Sequence, residues 1–174
     1  IQGESYYLLY FFLKDGNFYS FSQKNLIQQY NGKSIIAAMP SDIHTKEISQ
    51  KYVNLFKSLN FTGFVMIELR YFNNEYYMIE ANPRLWGPSQ LFVDNNIPFI
   101  EFFMLDNGFP IDIQFNGNVN YNKKYFWFGG LLESLNKYGK ITLHDYSYES
   151  FLMNINDLIA NDIYFRDDTI NLFV

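Results

Sequence analysis

The stretch from Gly63 to Gly87, GFVMIELRYFNNEYYMIEANPRLWG, decides how this chain is to be read. It holds two β-type runs separated by a short polar break, and the second run ends in Glu80-Ala81-Asn82-Pro83-Arg84. In a strand, residues i and i+2 share a face. The first run therefore separates Val65, Ile67, Leu69 and Tyr71 from Phe64, Met66, Glu68, Arg70 and Phe72. The second separates Tyr77, Ile79 and Ala81 from Tyr76, Met78, Glu80 and Asn82. A slip of one residue exchanges the faces. A two-residue turn at Asn73-Asn74 opposes Glu68 to Ile79, whereas a three-residue loop, Asn73-Asn74-Glu75, opposes Glu68 to Glu80 and Met66 to Asn82. Asn tolerates the left-handed conformation that three-residue hairpin loops use, so the odd loop is expected, with a bulge as the other device giving the same result.

Two carboxylates directly opposite one another repel. A hard divalent cation reverses that sign, and Mg²⁺ is typically held by one or two carboxylates together with substrate phosphates. On spacing alone a second reading stays open, a solvated acidic face with Arg70 as counter-ion.

Composition narrows the classes. The 174 residues suffice for one domain or one lobe of a larger protein. The net charge is −5, with no basic patch beyond Lys123-Lys124, so neither nucleic acid nor an anionic membrane surface is an expected partner. With no cysteine there is no disulfide framework, and with only His44 and His144 a His-rich zinc site is excluded. No apolar run reaches the ~18–20 residues of a membrane span. The chain starts Ile1-Gln2-Gly3-Glu4, with no signal-peptide pattern. It reads as the middle of a longer protein, and the expected location is the cytoplasm.

Along the chain, Ser5–Leu13 and Asn17–Phe21 read as a hairpin around Asp15-Gly16. Residues 24–30 are either a third strand or a connector, Asn31-Gly32 is a turn, and Ser34–Met39 is short and apolar. Ser41-Asp42 suits the cap of a helix over His44–Leu59, with an apolar stripe of Ile48, Tyr52, Leu55, Phe56 and Leu59. After the central hairpin, Pro88 and Pro98 each suit the start of a helix. Ile111–Val119 alternates as a strand followed by the turn Asn116-Gly117-Asn118, and Tyr148–Ile159 reads as one amphipathic helix. This order lacks βαβ alternation and predicts an α+β fold, an antiparallel sheet with helices packed on one face.

The residues from Phe64 to Gly87 resemble the magnesium–ATP motif of the ATP-grasp superfamily: a strand glutamate, Glu68, then a strand ending Glu80-Ala81-Asn82-Pro83-Arg84. The closest flavour is the branch of the carbamoyl-phosphate synthase large chain and the carboxylate–amine ligases. The resemblance covers about residues 1–110. It takes in Ile1–Glu4 as the tail of the nucleotide hinge, Asp15-Gly16 as the hairpin turn and Asn31-Gly32-Lys33-Ser34 as the turn before the next strand. It implies a C-terminal ATP-grasp subdomain over 1–110, an N-terminal nucleotide lobe that would precede Ile1, and a C-terminal extension over 111–174 packed on the same domain.

Residue by residue, the resemblance implies that Glu68, Glu80 and Asn82 ligate Mg²⁺, or Mn²⁺ in its place, that these three and Arg70 bind the metal–ATP cofactor, and that Arg84 acts on a phosphate or the acyl phosphate. The implied reaction is ADP-forming activation of a carboxylate for attack by an amine, inactive in this portion alone. Its partners would be small carboxylate and amine substrates and the N-terminal lobe, in cis or in trans. The alternative is a non-catalytic or split module that binds a partner chain. Of the remaining residues, Trp86 is expected as a packing anchor, Glu4, Lys24 and Lys33 at the surface, and His144-Asp145 in a solvated loop. Gly129-Gly130 lacks a phosphate-loop pattern around it.

Overall fold

In the computed structural model, residues 3–115 and 117–166 are described; Ile1, Gln2, Asn116, Asp167 and Asp168 lie outside the described residues. Strands β1 (Glu4–Phe12) and β2 (Phe18–Gln29) form the first hairpin, and β3 (Ile35–Pro40) returns along β2. The ambiguous residues 24–29 are thus strand. β4 (Gly63–Phe72) and β5 (Glu75–Asn82) form the central hairpin, and two short strands, β6 (Tyr125–Phe126) and β7 (Ile141–Leu143), come later. The described residues form one sheet in the order β5-β4-β1-β2-β3-β6, and every named pairing is antiparallel. β2 runs on past the start of β1, which leaves its edge open at Ile27–Gln29; β7 takes that edge.

The α+β class and the antiparallel sheet are as expected, but the helices cover both faces. The reason lies in β1, the strand at the middle of the hydrophobic packing. Tyr7 through Phe12 are all buried, alternate residues pointing to opposite faces, so both sides need an apolar cover. On one face, Leu8, Tyr10, Phe12, Val65, Ile67 and Leu69 pack with Val53 of α1 (Glu47–Ser58). On the other, Tyr7, Leu9, Phe11 and Met66 pack with residues of α2 (Gln90–Val93) and α3 (Phe99–Asp106), chiefly Leu91, Phe92, Phe99 and Phe102. A third cluster, with Ile27, Ile36 and Phe126, is closed by α4 (Phe128–Tyr138), α5 (Tyr148–Met153) and α6 (Ile155–Ala160).

Local differences from the sequence reading have local causes. A single 3₁₀ turn, Ile43–Thr45, precedes α1, which begins without a side-chain cap because its N-cap position is Lys46, whose ammonium cannot accept a hydrogen bond. α1 buries Ser49 and Val53 and leaves Leu55 and Leu59 exposed. Residues 111–115 and 117–119 form no strand, although Ile113 and Val119 pack on the cluster beside α3. Tyr148–Ile159 breaks in two at Asn154, whose side-chain amide donates back to the Ser150 carbonyl.

Candidate functional site

The central hairpin reaches the expected pairing by a different route. Asn73 and Asn74 have φ of 50° and 61°, the left-handed pair of a two-residue hairpin turn. Phe72 pairs with Glu75, Tyr71 with Tyr76 and Leu69 with Met78, so the three-residue loop is not used. The register then shifts beyond Leu69, and Ile79 is the unpaired extra residue of a β-bulge. After it, Glu68 pairs with Glu80, Ile67 with Ala81 and Met66 with Asn82. Tyr76 and Met78 therefore belong to the face of Ala81, not of Glu80; Tyr76 packs in the α1-side cluster, with its ring 6.2 Å from Tyr6. The bulge switches faces part-way along β5. That is how one strand supplies Tyr76 to the core on one side and Glu80 and Asn82 to the other.

Glu68 is only 8% exposed, and its Oε1 lies 2.9 Å from Nη2 of Arg70. Burial pushes its carboxyl above the ordinary range, Arg70 opposes that rise and Glu80 adds to it. Glu80 is exposed. The Asn82 side-chain amide donates to Glu80 Oε1 at 2.6 Å. Arg84 is exposed, with Nη1 donating to the Leu85 carbonyl at 3.1 Å. Glu68, Glu80, Arg84, Lys33 and Trp86 share the wall of a cavity of about 400 Å³. Trp86 is buried against Phe92 and Phe99, the anchor role expected of it. Among the described residues no group of three or more His, Cys, Asp or Glu side chains converges. A cation held here would rest on two carboxylates, an amide oxygen and the oxygens of a bound phosphate, a donor set that fits Mg²⁺.

A second cavity, of about 550 Å³, lies between Gly3, Gln28, Arg70, Thr142 and His144. Sequence reasoning placed His144 in a solvated loop, yet it is 6% exposed, with Nε2 at 2.8 Å from Gln28 Oε1. Burial, with Arg70 adding to it, pushes its imidazole down to about 4. Gln28 likewise escaped notice, because nothing in a run of strand residues marks which amide will be buried. Glu4 and Lys24 are half-buried at the surface and paired at 2.5 Å. Lys33 keeps its exposed position, with Nζ donating to the Tyr138 hydroxyl at 2.8 Å. Gly130 is a packing glycine: a Cβ there would fall 2.2 Å from the Trp127 ring.

The sheet, its cover and the hairpin define an antiparallel α+β fold with helices on both faces. No family model and no curated protein matches the chain. Among solved structures, it is similar to an ATP complex of biotin carboxylase from Campylobacter jejuni, with 15% identity and a TM-score of 0.54 over 71% of this chain and 29% of that one. A Rhizobium etli pyruvate carboxylase, with the allosteric activator acetyl coenzyme A, gives 17% identity and a TM-score of 0.55 over 71% and 14%. The biotin carboxylase domain of Hydrogenobacter thermophilus 2-oxoglutarate carboxylase, in complex with MgADP, ADP and bicarbonate, gives 14% identity and 0.52 over 70% and 28%. These biotin carboxylase domains are ATP-grasp proteins, and the likeness is one of fold. It does not single out the carbamoyl-phosphate synthase branch. The chain spans less than a third of the length of each of these structures.

Proposed function

We propose that this chain is the metal side of an ATP-grasp ligase that phosphorylates a carboxylate and passes the acyl group to an amine. The observation that carries the reading is the opposition of Glu68 and Glu80 across β4 and β5, kept in place by the bulge at Ile79. Facing carboxylates disfavour a hairpin on its own, and a divalent cation between them would offset the repulsion beyond what Arg70 supplies to Glu68. When bound, Mg²⁺, or Mn²⁺, would supply positive charge to offset the negative charge of the phosphoryl group passing from ATP to the carboxylate. Glu68, Glu80 and Asn82 would hold it. Arg70 holds Glu68 in one orientation, and Arg84 forks onto a phosphate or the acyl phosphate. The amine nitrogen then bonds to the acyl carbon, phosphate departs, and the amine proton passes to solvent.

The reading divides the chain into a lobe over 1–110 and an extension over 111–174, and it requires an N-terminal nucleotide lobe, in cis or in trans. The neighbours support such a partner, since this chain matches only 13–29% of their lengths. A second reading, a non-catalytic module that docks on another chain, is favoured by one feature: β5 is the sheet edge and exposes Met78 and Ile79, 50% and 47%. Among the described residues no helix is long and apolar enough to cross a membrane.

Titration of the chain, together with its nucleotide lobe, with Mn²⁺ and ATP, followed by water-proton relaxation, separates the two readings. The ligase reading expects binding that Glu80→Gln removes; binding unchanged in that variant eliminates the metal site. In the protein with its nucleotide lobe, the products expected are ADP and phosphate, and AMP with pyrophosphate would refute the acyl-phosphate route.

A further inference from the structure

Arg70 stands between two acceptors. Its Nη2 is 2.9 Å from Glu68 Oε1 and 3.4 Å from Gln28 Oε1. The Gln28 amide is fixed in orientation, because Nε2 donates at 2.7 Å to the Lys33 carbonyl, which only accepts. Oε1 therefore points the other way, where His144 Nε2 meets it at 2.8 Å. An amide oxygen cannot donate, so neutral His144 carries its proton on Nε2. The backbone holds His144 there: its N–H donates to the Leu26 carbonyl at 3.0 Å, directly after β7 pairs with Ile27–Gln29.

We infer that Gln28, oriented by His144, is a second seat for Arg70, taken when a divalent cation occupies Glu68. The inference rests on the proposed reading of Glu68 as a metal ligand. A cation and a guanidinium compete for the same carboxylate oxygen and repel each other at that range. Arg70 is nearly enclosed, and a displaced buried guanidinium without an acceptor is unfavourable. Bringing Gln28 Oε1 to an ordinary hydrogen-bond distance takes a movement of about half an ångström. His144 and Gln28 are thus positioning residues, and the segment that follows residue 110 is tied to the metal side through β7.

The test is the Mn²⁺ affinity of the 174-residue chain, measured by water-proton relaxation in single and double variants. Gln28→Leu and His144→Ala should each weaken Mn²⁺ binding by about tenfold or more, the loss expected when one hydrogen bond to a charged group goes missing. His144→Gln, which keeps an N–H donor for Gln28, should restore most of it. In an Arg70→Leu background neither substitution should change the affinity. Wild-type affinity in Gln28→Leu and His144→Ala, or an equal loss with and without Arg70, overturns the inference. Binding that survives Glu80→Gln at full strength overturns the metal reading first and this inference with it. Nitrogen chemical shifts of the wild-type imidazole need no variant: they should show the Nε2–H tautomer of His144, and an Nδ1–H tautomer removes the contact on which the second seat depends.

Discussion

His144 makes the folded chain sensitive to acid, and the size of the effect follows from its surroundings. Enclosed between β7 and Gln28 and facing Arg70, its imidazole is pushed from 6.5 down to about 4. Above 6.5 the group is neutral in both folded and unfolded chains and contributes no pH dependence. As pH falls from 6.5 to about 4 the unfolded chain takes a proton that the folded chain refuses, so stability falls; below about 4 both take it and the loss levels off. At about 1.4 kcal/mol per tenfold change in proton affinity, the loss is about 3 kcal/mol. Glu68 acts with the opposite sign, because burial raises its carboxyl and protonation then favours the folded state. His44 is also pushed down by burial. The clean quantity is therefore the difference between wild type and His144→Gln, in which those groups cancel. Urea unfolding at a series of pH values from 8 to 4 should show wild type losing about 3 kcal/mol relative to the variant across that window. A difference that stays constant to within about 0.5 kcal/mol would refute the buried, neutral imidazole.

Two further outcomes concern the framework of the site. Deleting Ile79 removes the unpaired residue of the bulge but leaves Glu80 opposite Glu68 in an unbroken two-residue hairpin, so Mn²⁺ affinity, measured by water-proton relaxation, should stay within about threefold of wild type. Gly130→Ala brings a methyl group to 2.2 Å from the Trp127 ring; that overpacking, about 1–3 kcal/mol, outweighs the ~1 kcal/mol by which Ala is the better helix former, and thermal unfolding should show a melting temperature lower by a few degrees.

How far the sequence could be read depended on how local the deciding physics was. The pairing of Glu68 with Glu80 followed from face matching, since the apolar sets of two neighbouring strands have to agree. The device did not: two adjacent Asn residues serve a two-residue turn or part of a longer loop equally well, and with the two-residue turn the bulge at Ile79 is what lets Tyr71 meet Tyr76 on one side and Glu68 meet Glu80 on the other. Helices on both faces could have been inferred from Tyr7–Phe12, whose uninterrupted apolar run has no polar side to leave bare. The burial of His144 and Gln28 was out of reach. It depends on β7 pairing with the open end of β2, a contact between residues 27–29 and 141–143 with no local signature. The same holds for Asn154, where a side chain competing for the Ser150 carbonyl divides what periodicity presents as one helix.

The central claim is that Glu68 and Glu80 share a divalent cation, and the most direct measurement is the anomalous scattering of Mn²⁺ in crystals of the chain grown with Mn²⁺ and ATP. The account predicts a single strong peak between the two carboxylates, within about 2.0–2.4 Å of an oxygen from each, with Arg70 turned toward Gln28. Glu68 still paired to Arg70, with Mn²⁺ bound elsewhere or only to Glu80, would contradict it.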